Sequence, residues 1–373
     1  MNLNDYTICY LLNEYGKDHS DLTAAARELL RRDIAKRPEK YATTPRARAL
    51  VQYRRTRSAL MRGLDAIGDL QDDDFAKSRF ALFAGIRASL LDIAKMDEFF
   101  AEPKLLAILL DHAQPDGIVS DLLKLEAEVR DQLSESVAGF DIAAPHFWIS
   151  PSCARENSSD AADLTAASLE VIGWLHILEA LSQQCMQTAR YRRAADYARL
   201  VMRAEGYPNH AEGTVMLALA RLEDEPGFFE LAHRLCALSE EHRAEAPGSS
   251  RTATADSPAA MRDSAPDHPE NSPWYLLART ILLYKLGKTK AARRALRDFN
   301  ERCDGGAFFL LNPTYLDPYL PVRPEPRDSW DLPHQAVWEA DAIISDTPDF
   351  VPWAESVEGT LAISDAFASR NGF

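Results

Sequence analysis

Histidine, glutamate and cysteine are the residues of this chain with the most chemistry to offer, so their spacing is read first. His176-Ile177-Leu178-Glu179 and Glu230-Leu231-Ala232-His233 each set a carboxylate and an imidazole three apart, on one face of a helix. A helical di-metal site uses two Glu-x-x-His pairs running in one direction, plus two further glutamates. Here one pair is reversed and no partner glutamate is evident, so both are read as surface polar pairs. Asp111-His112 precedes Pro115-Asp116-Gly117 at a helix end, where His112 serves as a favourable C-terminal charge. The five cysteines (Cys9, Cys153, Cys185, Cys236 and Cys303) are widely spaced with no Cys-x-x-Cys, which fits free thiols in a reducing compartment. Cys185 and Cys236 fall on apolar helix faces and read as inert thiols. Gly-x-Gly-x-x-Gly, the P-loop, His-Glu-x-x-His and Gly-x-Ser-x-Gly are all absent. No cofactor, metal or catalytic residue is expected, and an enzyme or metalloprotein of unfamiliar type stays a minor alternative.

Charge says more. The 373-residue chain carries a formal net charge of −15, which disfavours nonspecific nucleic-acid binding by the whole molecule. Within it, Tyr41 to Leu64 holds Arg46, Arg48, Arg54, Arg55, Arg57 and Arg62 and no acid. Asp328 to Phe373 holds nine acids against Arg370 alone. These segments either are solvated or complement each other within the fold, or the Arg46–Arg62 helix meets an acidic partner, RNA or a protein acid patch, through residues such as Arg54, Arg55 and Arg57, the alternative reading being a nucleic-acid- or acidic-partner-associated protein.

The elements that must carry these residues are helical. Thr44-Pro45 is a start signal, with Thr as N-cap and Pro at the first helical position. Phe75, Phe83, Ile86, Leu90 and Ile93 recur at near-helical spacing, as do Ile118, Leu122, Leu125, Val129 and Leu133. Strand-like alternation is nearly absent, so residues 1–147 are expected to form a helical domain. A polar break over 148–164 follows, then an apolar face with Leu169, Ile172, Leu175 and Leu178. Residues 244–272, rich in Pro, Ser, Ala and Asp, read as a disordered linker. From Asn312 onward prolines are dense, yet Tyr315, Tyr319, Trp330, Trp338, Phe350 and Trp353 offer much to bury. Residues 312–373 are therefore expected as an extended, acidic arm with short helices packed along the body. The longest apolar runs, such as Leu105–Leu110, fall far short of the roughly 20 residues of a membrane span. With no cationic region near Met1, a cytoplasmic location is expected.

A pattern recurs in the middle. Tyr191, Ala194, Ala198 and Val201 share one helix face, where small residues admit close approach and the bulky ones fill the ends. After the linker, Trp274…Leu277-Ala278 is followed by a Leu286-Gly287 turn and by Ala291, Ala292, Ala295, Leu296 and Phe299. These residues resemble a tetratricopeptide repeat, and Tyr191…Val201 with Pro208 resembles the second helix and exit of another. The likeness covers about a third of the chain. The later first helix is about two residues longer than the pattern, and the linker separates hairpins that would otherwise stack directly. Asn312-Pro313…Pro318-Tyr319-Leu320 is similar to an element of the suppression of tumorigenicity seven family, with different spacing and without the membrane segments of its animal members.

The expected architecture is all-α: an irregular α-solenoid of helical hairpins over 165–243 and 273–311, between an N-terminal helical domain and the C-terminal arm. The resemblance implies a non-catalytic scaffold that takes a protein or peptide in a concave groove. Tyr275, Arg279 and Leu282 would project into that groove, and the arm would occupy it in cis. Nucleic acid and membrane are not expected partners.

Overall fold

The structure, a computed structural model, describes residues 3–19, 22–68, 70–111, 113–136, 140–142, 161–204, 210–245, 269–316 and 327–373. His112, Cys153, residues 148–160 of the polar break, most of the 244–272 segment, and Pro318, Pro321 and Pro324 lie outside them. Among the described residues there are sixteen α-helices and no strand, so the chain is all-α. None of these helices is long and apolar enough to cross a membrane.

The chain divides into two compact units, Met1–Leu181 with Leu200–Asn209, and Ser182–Arg199 with His210–Phe373. The first holds α1 (Leu3–Asp18), α2 (Ala24–Lys36), α3 (Pro45–Ile67), α4 (Asp72–Met96), α5 (Ala101–Leu109), α6 (Pro115–Ser136) and α7 (Ala161–Gln187) through Leu181. α3 starts where local chemistry puts it. Thr44 Oγ1 accepts a hydrogen bond from the Ala47 amide at 3.1 Å, and Pro45 occupies the first turn, where its missing N–H costs nothing. Successive helices then pack in pairs, α3 on α4, α4 on α5 and α5 on α6, with α1 against both α2 and α3. The α6 stripe is buried at Leu122, Leu125, Val129 and Leu133, with Val119 in place of the expected Ile118. On α4, Ile86, Leu90 and Ile93 are buried while Phe75 and Phe83 are half-buried. Gly173 lets α7 lie close to α5, since a Cβ there would stand 3.2 Å from the Ala101 Cβ.

The second unit holds α8 (Tyr191–Met202) to Arg199, α9 (Ala211–Arg221), α10 (Glu225–Glu245), α11 (Pro273–Lys285), α12 (Thr289–Arg302), α13 (Gly306–Leu311), α14 (Asp331–Ser345), α15 (Phe350–Glu355) and α16 (Thr360–Asn371). α11 and α12 form an antiparallel hairpin across Gly287, whose φ of +69° a side chain rarely adopts. Ala292, Ala295, Leu296 and Phe299 are the buried stripe of α12. α9 pairs with α10 and also lies along α11. The α9–α11 approach needs Gly213: a Cβ there would sit 2.6 Å from Cβ and Cδ1 of Trp274. Gly213→Ala is accordingly expected to destabilise by about 1–3 kcal/mol net, overpacking outweighing the ~1 kcal/mol that alanine gains in helix propensity. Chemical denaturation decides the sign, and a stabilised variant would mean the two helices do not approach this closely.

The C-terminal residues depart from the expected extended arm. α14 runs for 15 residues and α16 for 12. The prolines permit this because Pro333 is the third residue of α14 and Pro352 the third of α15, where no intrahelical N–H is required. The aromatic residues supply the burial. Phe308 and Phe309 of α13 pack with Phe367 of α16, and Phe309 also meets Trp330 and His334 at the start of α14.

Candidate functional site

α14 lies on both α9 and α11, and its polar contacts give its direction. Near its middle, Glu339 accepts hydrogen bonds from Trp274 Nε1 (2.9 Å), Thr214 Oγ1 (3.2 Å) and Gln335 Nε2 (3.0 Å). At its C-terminal end, Asp346 accepts from Arg221 Nε at 2.9 Å and from Tyr191 Oη at 3.2 Å. Glu339 and Asp346 thus meet the first and last turns of α9 in order, so α14 runs parallel to α9. Along α14, Ala336, Val337, Ala340 and Ile343 are buried.

The two carboxylates differ in setting. Glu339 is buried at 9 % exposure and accepts from an indole, a hydroxyl and an amide. Asp346 is half-exposed, and the hydrogen bond and charge of Arg221 hold its carboxyl below the usual carboxylate range. Arg221 also lies over the Tyr191 ring, 5.1 Å from its centroid. Tyr191 is in turn a wall of an open cleft of about 510 Å³ lined by Ala189–Arg193 and Leu222.

The residues expected in the groove lie elsewhere on α11. Tyr275 is buried and stacks on Phe228 of α10 with centroids 5.6 Å apart. Leu282 is fully buried, and Arg279 pairs with Asp298 of α12 at 3.6 Å. Positions 275, 279 and 282 share one helix face, and the contacts of Tyr275 and Arg279 turn that face toward α10 and α12. Trp274 stands one residue, about 100°, away. It meets α14, while Tyr284 meets Phe350 and Trp353 of α15. His210 stacks on Trp274 with centroids 4.4 Å apart. A period-based reading finds the helix and its faces, but choosing which face meets a groove requires the third dimension. Glu339 had a partial signal: it falls on the apolar face of α14 with Ala336 and Ile343, while Asp341 two residues on lies on the exposed face.

In the first unit the arginine-rich α3 is partly consumed by its own fold. Arg46 pairs with Asp97 at 2.6 Å and with Glu170 of α7 at 2.7 Å. Arg55 pairs with Glu39. Arg54 and Arg57 are half-buried, and Arg57 contributes its field to Glu102. Only Arg48, Arg55 and Arg62 of the six are well exposed. His176, read from sequence as a surface polar residue, is instead mostly enclosed: its Nδ1 pairs with Glu102, to which Tyr53 Oη also donates at 2.9 Å. Two residues before it on α7, Trp174 Nε1 donates to Glu126 at 3.0 Å, and Arg130 pairs with the same carboxylate. α7 is therefore keyed into the unit by Glu170, Trp174 and His176.

Among the described residues no group of three or more His, Cys, Asp or Glu is placed to hold a metal ion. Glu230 and His233 are both exposed. Burial raises the thiols of Cys185 and Cys303, the latter to about 12, so neither forms a thiolate at neutral pH. No protein-family model matches the chain, and no curated protein and no solved structure is similar to it.

Proposed function

We propose that the chain is an interaction scaffold built from tetratricopeptide-like helical hairpins, whose inner groove is filled by its own α14. The observation that carries this reading is the seat of α14 along α9 and α11 at once. In stacked helical hairpins the first helix of each pair lines the concave side, where extended or helical segments of partners bind. α9 and α11 occupy those first-helix positions, α10 and α12 are their return helices, and α14 lies where a partner helix would. The chemistry of the seat suits a helix. It pairs small and apolar residues with one buried carboxylate that fixes register and one surface ion pair that fixes the end. The partner is accordingly a protein segment, and the working compartment is a reducing, cytoplasmic one that keeps Cys185 and Cys303 as thiols.

Exchange of the helix in trans tests this. In the full chain, Ala340→Glu places a charge at a fully buried position of α14 and loosens its seat. A synthetic peptide spanning residues 328–347 is then expected to bind the variant and raise its stability, by about 2.7 kcal/mol at a hundredfold excess over Kd. The intact wild-type chain, with its groove filled, is expected to bind the peptide far more weakly. Glu339→Gln serves as a milder loosening should the first variant lose its helical circular dichroism. A variant that stays folded and ignores the peptide would refute the groove as an exchangeable helix site.

A further inference from the structure

The outer face of α12 carries charge that the fold does not use. Lys290, Arg293, Arg294 and Arg297 stand at i, i+3, i+4 and i+7, and all four are exposed. From Lys285 through Arg297 the chain has six cations and no acid. Several exposed cations elsewhere on the surface take a carboxylate three residues away, as in Lys95–Asp92, Lys124–Asp121 and Arg199–Asp196. On α12 most of those neighbouring positions are themselves cations: 290 faces 293 and 294, and 297 faces 293 and 294, while Asp298, four residues after Arg294, pairs with Arg279, and Glu301 stands four after Arg297. Among the described residues no carboxylate pairs with Lys290, Arg293 or Arg294. Arg297 reaches only Glu358 at 3.8 Å, a side chain 94 % exposed.

This placement works against the helix twice. Like charges at i, i+3 and i, i+4 repel. Lys290 also lies in the first turn, where the helix macrodipole disfavours a cation. A chain of net charge −15 has acids enough to relieve this internally, and does so for Lys285 with Glu223 and for Lys288 with Glu225. At Lys290, Arg293 and Arg294 it does not.

We propose that this stripe docks an acidic segment of a partner protein, with carboxylates at matching helical spacing. The stripe spans about 10 Å, roughly two helical turns, which fits four carboxylates at i, i+3, i+4 and i+7 of a partner helix. A nucleic-acid track would call for a longer basic run and exposed aromatic rings for stacking. Phe299, the aromatic residue of α12, is fully buried. The stripe lies on α12 and does not depend on what the groove of α9 and α11 holds, so the two readings fail separately.

The test uses the full chain and three fluorescein-labelled probes: an alanine-based helical peptide with glutamates at i, i+3, i+4 and i+7, its glutamine counterpart, and a single-stranded RNA. The wild type is expected to bind the glutamate peptide at about 0.01 M salt and to lose it by about 1 M, as the screening length falls from ~30 Å to ~3 Å. Arg293→Glu with Arg294→Glu is expected to weaken that binding at least ~10-fold. The double substitution turns the four like-charge pairs with Lys290 and Arg297 into opposite-charge ones, against a single new like-charge pair of position 294 with Asp298, so the variant is expected to fold at least as stably as the wild type. Absence of glutamate-peptide binding at low salt, equal binding by the variant, equal binding of the glutamine peptide, or tighter binding of the RNA would each overturn the proposal.

Discussion

Replacing His176 with leucine is expected to destabilise the first unit by about 3–5 kcal/mol, because it leaves a buried carboxylate without its charge partner. Glu102 is 6 % exposed and has two side-chain partners, His176 and the Tyr53 hydroxyl. Burial alone would raise the Glu102 carboxyl; the charge and hydrogen bond of His176, helped by Arg57 and Tyr53, outweigh it and hold the group below its ordinary value. Burial alone would lower the His176 imidazole; the charge and hydrogen bond of Glu102 outweigh that and raise it. The raised histidine contributes stability fully below about pH 6.5, and that contribution is lost as pH rises through its folded value. The depressed glutamate contributes above about pH 4.3, and that contribution is lost as pH falls through its folded value. The pair is therefore most stabilising between about pH 4.3 and 6.5.

The double variant Glu102→Leu with His176→Leu supplies the non-titrating reference, and it is expected to recover most of the loss, since apolar replacement of a buried pair is often neutral. Hydrogen exchange of α7 amides across pH reads the first unit by itself, which a single global midpoint cannot do for a chain of two units. Parallel pH profiles for the wild type and the double variant would show that the pair is not ionised in the folded protein.

What the sequence disclosed follows from the range of each interaction. The start of α3 is written in Thr44 and Pro45, because a cap is made within four residues. The buried faces of α6 and α12 are written in their periods, because one helix face carries the signal. The pairing of Glu102 with His176 joins residues 74 apart, and that of Arg46 with Asp97 joins residues 51 apart; no local pattern encodes either. What local sequence does show is an acid on an otherwise apolar helix face, Glu102 with Leu105 and Leu106 and Glu339 with Ala336 and Ile343, a sign that a donor must arrive from elsewhere. α14 was concealed for a different reason. Proline density argues against helix in general, but a proline in the first turn costs nothing, and only the register distinguishes the two.

Trp274→Ala is expected to be the most disruptive single change in the second unit. The ring is 1 % exposed, and its removal costs about 3–5 kcal/mol through lost burial and the cavity left behind. Part of the effect is polar. The indole N–H is one of the donors to Glu339, and losing it adds about 1–3 kcal/mol for a carboxylate left less satisfied. Trp274→Phe separates these contributions: it keeps most of the ring against Gly213 and His210 but removes the donor, and it is expected to cost about 1–3 kcal/mol. Crossing it with Glu339→Leu in a double-mutant cycle isolates the bond, because once the carboxylate is gone the loss of the indole N–H has little left to remove. A coupling energy near zero would mean that the Trp274–Glu339 bond does not set the register of α14 on α11. A clear coupling makes the Trp274–Glu339 bond the register pin of α14. Under the proposed scaffold reading, a partner helix taking the place of α14 would then have to offer Trp274 an acceptor of its own.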